Sequence, residues 1–246
     1  MRARHRHFNP RAMGAKLVLD ARYINQSDNT AVSTWSDRSG NGWDATQATG
    51  ANQPTLQTAE FGGQNIVRFD GSNDRFEANG SAGMLNNVGG ATLLSAVKYT
   101  NVTGNKSLFG TATAAGNTRA TLNLNASGYA TGGRRLDANS FQSVASNSGG
   151  VTTTRTLLHA AVFNYSNAEL TLFLDGNSAA FSTSFQTAGN TSATNATVVT
   201  IASATNNAEF VQGDLGALVA FGIALNIGQR KRVEHAMAYS FKISCN

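Results

Sequence analysis

A chain of 246 residues with 41% hydrophobic and only 13% charged residues is long enough for one domain with a substantial core. It is also too apolar to be a disordered chain of the charge-rich kind. Its net charge of +5 is confined to one place, because residues 1–16 hold Arg2, Arg4, Arg6, Arg11 and Lys16 without an acid while the remainder is balanced. That distribution argues against a basic nucleic-acid-binding face, the single Cys245 excludes an internal disulfide or a cysteine zinc site, and no run of about 20 apolar residues offers a membrane-spanning helix.

The opening "MRARHRHFNPRAMGAK" reads as a basic N-terminal arm over 1–16, followed by one domain over 17–246. It lacks the apolar stretch of a secretory signal, so the expectation is synthesis without the usual export route. "KLVLDARY" (16–23) is the first strand candidate, and "AVSTWSDRSGNGWDATQ" (31–47) turns at Ser39–Gly42. "QNIVRFDG" and "DRFEANG" (64–80) form a strand–turn–strand unit around Asp70 and Asp74. "ATLLSAVKYT" (91–100) and "RTLLHAAVFNYS" (155–166) read as central strands. Between them, "RATLNLNASGYATGG" (119–133) alternates Leu122 and Leu124 with Asn123 and Asn125, the period-two pattern of a half-buried strand.

In "AELTLFLDGNSAAFSTSF" (168–185), Leu170, Leu172 and Leu174 share one face, and Asp175-Gly176 supplies the chemistry of a two-residue hairpin turn. "ATVVTIAS" (196–203) and "DLGALVAFGIAL" (214–225) add two apolar strands. Only "IGQRKRVEHAMAYSFK" (227–242) carries a helical period, with Val233, Ala236, Met237 and Tyr239 or Ser240 inward and Arg230, Lys231, Arg232 and Glu234 toward solvent. The Ser/Thr/Asn/Gly-rich segments at 139–154 and 187–197 read as long loops. About a dozen short strands with turn signals and one terminal helix predict an all-β sandwich of two antiparallel sheets.

Four segments in order carry a resemblance: the Leu-Asp-Ala strand (19–21), "WSDRSGNGWDAT", "FDGSNDRF", and the closing "GDLGALVAFGIALNIGQRKRVEHAMAYSF". Together they resemble the concanavalin A-like, laminin-G-type jelly-roll family over residues 17–241, with Val18 where members often carry Trp. The resemblance implies a jelly roll, an architecture that serves lectins, glycosidases, adhesion modules and virion parts alike. "FNPRAM" ahead of the first strand is similar to the starts of tailed-phage structural proteins of this type.

Chemistry narrows the choice. Glycoside hydrolysis needs two carboxylates flanking the scissile bond, and the Glu-x-Asp-x-Glu run of glucanases in this family has no counterpart here. The chain therefore reads as a non-enzyme. No cofactor is expected, the one candidate being calcium held by Asp70 and Asp74, weighed against a role for both acids in bonding a tight turn. Asp37 has the same two readings. Sugar contact would fall to Trp43, Tyr129, Arg134 and Arg135. His159, in an apolar strand, reads as a core histidine. The docking arm would be Arg2, Arg4, Arg6, Phe8 and Arg11, seated on an acidic partner surface. The expected role is a non-enzymatic virion protein on capsid, tail or fibre. Its partners would be other virion proteins and further copies in a symmetric array, with host-surface glycans as a further ligand and neither membrane nor nucleic acid. A stand-alone carbohydrate-binding lectin is the alternative, and a glycosidase of the same fold the third reading.

Overall fold

A computed structural model describes residues 9–113, 117–146, 151–194 and 196–245. Its first strands are β1 (Leu17–Asp20), β2 (Thr34–Trp35), β3 (Ala45–Thr46), β4 (Thr55–Gln57), β5 (Ile66–Asp70) and β6 (Phe76–Glu77). The middle of the chain supplies β7 (Ala91–Tyr99), β8 (Lys106–Ala112), β9 (Thr118–Asn125), β10 (Gly128–Gly133) and β11 (Gln142–Ala145). Then come β12 (Leu157–Asn164), β13 (Glu169–Leu174), β14 (Asn177–Ser182), β15 (Val198–Ile201), β16 (Gln212–Phe221) and the helix α1 (Ile227–Phe241).

These strands form two antiparallel sheets of eight, as the sequence pattern predicts. Sheet A runs β14-β13-β12-β7-β16-β5-β4, with β1 paired to β16 at its end. Sheet B runs β11-β10-β9-β8-β15-β6-β3-β2. The sheets face each other across a core that includes Leu93, Val97, Phe163, Leu172 and Leu218 from A and Phe76, Phe109, Leu122, Leu124 and Tyr129 from B.

The two sheets differ on their outer faces, and the sequence shows why. On β7 and β16 apolar residues are nearly continuous because both faces are covered. Leu94, Ala96, Leu158, Ala217 and Val219 point away from the inter-sheet core and pack under Val233, Met237, Ala238 and Phe241 of α1. Gly216 sits at a bulge in β16, where a Cβ would lie 2.7 Å from the Phe241 ring, so glycine lets the helix end close onto the sheet. A capping box starts α1: Gln229 N donates to Asn226 Oδ1 at 2.9 Å and Asn226 N donates to Gln229 Oε1 at 3.0 Å.

The buried face of α1 departs from expectation. Arg230 and Glu234, expected in solvent, are buried, whereas Tyr239 is 67% exposed. Arg230 donates to both oxygens of Glu234, one turn away, and to Gly176 O, and its guanidinium lies 3.7 Å from the centroid of the Phe173 ring. The β13–β14 turn, with Asp175 and Gly176 both at positive φ as read from the sequence, delivers that carbonyl. Arg230 and Glu234 fall on the same helical stripe as Val233, Met237, Ala238 and Phe241, and the Gly176 carbonyl and Phe173 ring partner the inward cation.

The turn in "WSDRSGNG" is organised by Asp37. Its Oδ1 accepts from Val18 N and Ser39 N, and its Oδ2 from Trp43 N and Ser39 Oγ, tying β1 to the turn. Residues assigned to the arm are partly in the fold: Asn9 caps a turn over Pro10–Met13, Gly14 ends it at φ 80°, and Pro10 and Ala15 are buried. Arg11 is exposed, with its guanidinium against Gly40. Arg2, Arg4, Arg6 and Phe8 lie outside the described residues. The segment read as a loop at 139–154 contains β11, an edge strand paired to β10.

Candidate functional site

The helix α1 packs on sheet A, and among the described residues no α-helix covers the outer face of sheet B. Its outward residues are small and polar because they occupy the alternate positions to the core leucines: Thr121 and Asn123 on β9, Ser107 and Gly110 on β8, and Thr200 on β15. These residues, Thr200 apart, help to floor a groove of about 290 Å³. Near the lower end of the range usual for ligand pockets, roughly 300–1,000 Å³, it suits a small solute.

Two walls define it. One is the turn through Ala204, Thr205 and Glu209, closed by Ala204 N donating to Ala208 O at 2.7 Å and fixed to β8 by Ser107 N donating to Glu209 O at 2.9 Å. Asn105 Nδ2 donates to Glu209 Oε1 at 3.2 Å, which aligns the carboxylate along the rim. The other wall is Phe141, whose ring is 41% exposed and lies over Gly132 of β10. Several large apolar side chains are exposed in this fold, and what sets Phe141 apart is its position at the groove, over Gly132.

The floor holds an unmet acceptor. Asn123 Oδ1 is shielded from solvent and has no hydrogen-bond donor, although Asn123 lines the groove. An unsatisfied buried polar atom costs about 1–3 kcal/mol. A small turn of the amide would offer it to a hydroxyl seated above, beside the Phe141 ring. Polar floor, one aromatic wall and one carboxylate can bind a polyhydroxylated ring; among the lining residues there is no second carboxylate at which to place a general acid and base pair.

None of the four glycan candidates read from sequence lines this groove. Tyr129 is fully buried: it pairs with Leu124 and so faces the core, where its hydroxyl meets the backbone of Thr152. Arg135 is buried, with its guanidinium on Asn190 O and Thr187 Oγ1. Arg134 donates to Asn117 Oδ1. Trp43 is half-buried against the core, and a Cβ on Gly80 would approach its ring to 3.0 Å. These side chains hold loops in place and are not brought together.

The calcium candidates serve a turn. Asp70 Oδ1 accepts from Ser72 N, Asn73 N and Asp74 N, and Asp74 Oδ2 accepts from Asp70 N at 3.0 Å. Burial pushes Asp74 up to about 6, against the hydrogen bond it accepts from Asp70 N and with a smaller push from the Asp70 charge. Among the described residues no three His, Cys, Asp or Glu side chains group as metal ligands. His159 is fully buried between the sheets, 3.5 Å from the Tyr99 hydroxyl, and burial lowers it to about 4.

A larger groove of about 1290 Å³ runs between α1 and the Asn9–Met13 segment, lined by Pro10, Met13, Val233, Tyr239 and Ile243 among others. Its described residues present no unpartnered buried polar atom, and it is the seam along which the N-terminal segment meets the helix.

No protein-family model matches the chain, and no curated protein matches it in sequence. Solved structures do match. The binding domain of botulinum neurotoxin serotype D superposes with a TM-score of 0.65 at 11% identity, over 91% of this chain and 51% of that one. A Ruminococcus gnavus sialidase carbohydrate-binding module bound to α2,3-sialyllactose gives 0.54 at 13% identity, over 90% of this chain and 98% of that one. The neurotoxin D domain in complex with N-acetylneuraminic acid gives 0.62 at 12% identity, over 92% and 52%. The likeness is one of fold. This chain spans about half the length of the toxin domains and nearly all of the sialidase module. A β-sandwich of the jelly-roll kind is therefore shared with receptor-binding and carbohydrate-binding domains.

Proposed function

We propose that this protein is a non-enzymatic carbohydrate-binding module whose ligand sits in the groove on the outer face of sheet B. The observation that carries the reading is the pairing of the unmet Asn123 acceptor with the exposed Phe141 ring across one polar floor. A sugar has an apolar face for the ring and hydroxyls for the amide, which few other solutes combine. Support comes from the fold shared with a carbohydrate-binding module and with receptor-binding domains, and not from the acidic sugars bound there. Groove volume and a single aromatic imply weak binding per site, so useful affinity would come from several copies acting together. A glycan array followed by titration of the best hit tests this. Binding lost in Asn123→Ala and Phe141→Ala supports it, and failure of a folded protein to bind any sugar ends it.

A virion setting is a separate reading, supported by the basic run of residues 2–11 and the phage-like "FNPRAM". Because Pro10 and Ala15 are built into the body, the informative truncation removes residues 1–8 only. Particles that take up this truncated protein at the normal level would leave the docking arm without a role.

A further inference from the structure

Resting on the carbohydrate-binding reading, we infer that the groove selects uncharged sugars and discriminates against acidic ones. Among its described lining residues the only charged side chain is Glu209, an exposed carboxylate on the rim. A sugar carboxylate entering beside it meets a like charge and no cation. Recognition of a carboxylate in a pocket ordinarily uses arginine or lysine, and every cation carried by the neighbouring strands is turned elsewhere.

Arg119, the next outward residue on β9 beyond Thr121, is 1% exposed, and its guanidinium donates to Ser192 O, Thr194 O and Asp137. Arg134 and Arg135, at the end of β10, are held by Asn117, Asn190 and Thr187. Lys106 on β8 stands opposite Leu124, whose side chain faces the core, and so leaves the strand on the other side from Asn123. The groove thus offers the Glu209 carboxylate as acceptor and the Phe141 ring as an aromatic face, with Asn123 Oδ1 joining them once its amide turns outward. That set matches a pyranose that donates hydroxyls.

Matched pairs test the inference: lactose against its sialylated form, and glucose against glucuronic acid, titrated into the full chain at low salt. The neutral member should bind at least about tenfold more tightly, and the gap should narrow in Glu209→Gln, where the like charge is gone. Asn123→Ala should weaken the neutral member about tenfold without changing the melting temperature by more than a few degrees. An acidic sugar that binds as tightly as its neutral partner overturns this inference and leaves the binding reading standing. A folded protein that binds neither member of any pair, nor any sugar on the array, overturns both.

Discussion

The ring of Phe141 rests where a side chain at position 132 would be: a Cβ on Gly132 would lie 2.7 Å from Phe141 Cζ and 2.6 Å from Gln142 O. Glycine at 132 is thus the condition for an aromatic wall beside Asn123, because β10 and β9 pair Gly132 with Thr121 on the groove face.

Replacing Gly132 by Ala should push the ring off the sheet and weaken sugar binding by about tenfold, about 1.4 kcal/mol. Phe141→Ala should do the same, and Phe141→Tyr should keep most of the affinity because the stacking face survives. Calorimetric titration of the three variants decides it. Equal affinity in all three would remove Phe141 from the site.

The Arg230–Glu234 pair is buried on both sides, so losing one partner strands a charge under β13. Glu234→Ala should cost about 3–5 kcal/mol of unfolding free energy in denaturant titrations. The double change Arg230→Met, Glu234→Leu should recover most of that loss, since the penalty lies in the unpaired charge and not in the missing pair. A Glu234→Ala protein as stable as the parent would show the pair to be idle.

Burial lowers His159 to about 4, below its ordinary 6.5. The unfolded chain therefore binds the extra proton first, and this histidine's stabilising contribution is complete above about pH 6.5 and lost as pH falls toward 4. Unfolding experiments at pH 7, 5.5 and 4 should show a steeper acid loss for the parent than for His159→Gln. Parallel slopes would count against a neutral, buried ring.

Asp74 runs the other way. Its carboxyl is held up at about 6 against an ordinary 3.8, so the folded state binds the proton more tightly and this group favours folding most at low pH. That contribution declines as pH rises through about 6. Asp74→Asn should gain stability relative to the parent between pH 4 and 7 and stay level above that. The amide oxygen can still accept from Asp70 N, so the turn itself should persist.

Much of the fold was legible because local chemistry and long-range packing agree. Alternation at Leu122 and Leu124, the Asp175-Gly176 turn and the apolar runs at 91–99 and 157–163 each have one structural solution. The site was less legible. Asn123 was readable as an outward residue, but its lack of a partner depends on neighbours from β8 and the 204–209 turn. Phe141 lies in a Ser/Asn-rich stretch, and its place beside the groove is set by contact with Gly132. Tyr129, an aromatic in the strand-like 119–133 segment, and Arg135, a loop cation, have residue types suited to sugar contact. Cross-strand register turned the first inward, and the Asn190 carbonyl with the Thr187 hydroxyl claimed the second.

The helix that closes sheet A has a consequence for how the molecule can be held. Ala15 and Met13 at one end of the described chain, and Ile243 and Cys245 at the other, pack with α1 on the face opposite the groove. An attachment made at residue 9 or residue 245 would therefore leave the groove side pointing away from its support. A surface coated with the protein through either point would display a uniform carpet of grooves, without any redesign of the sandwich between.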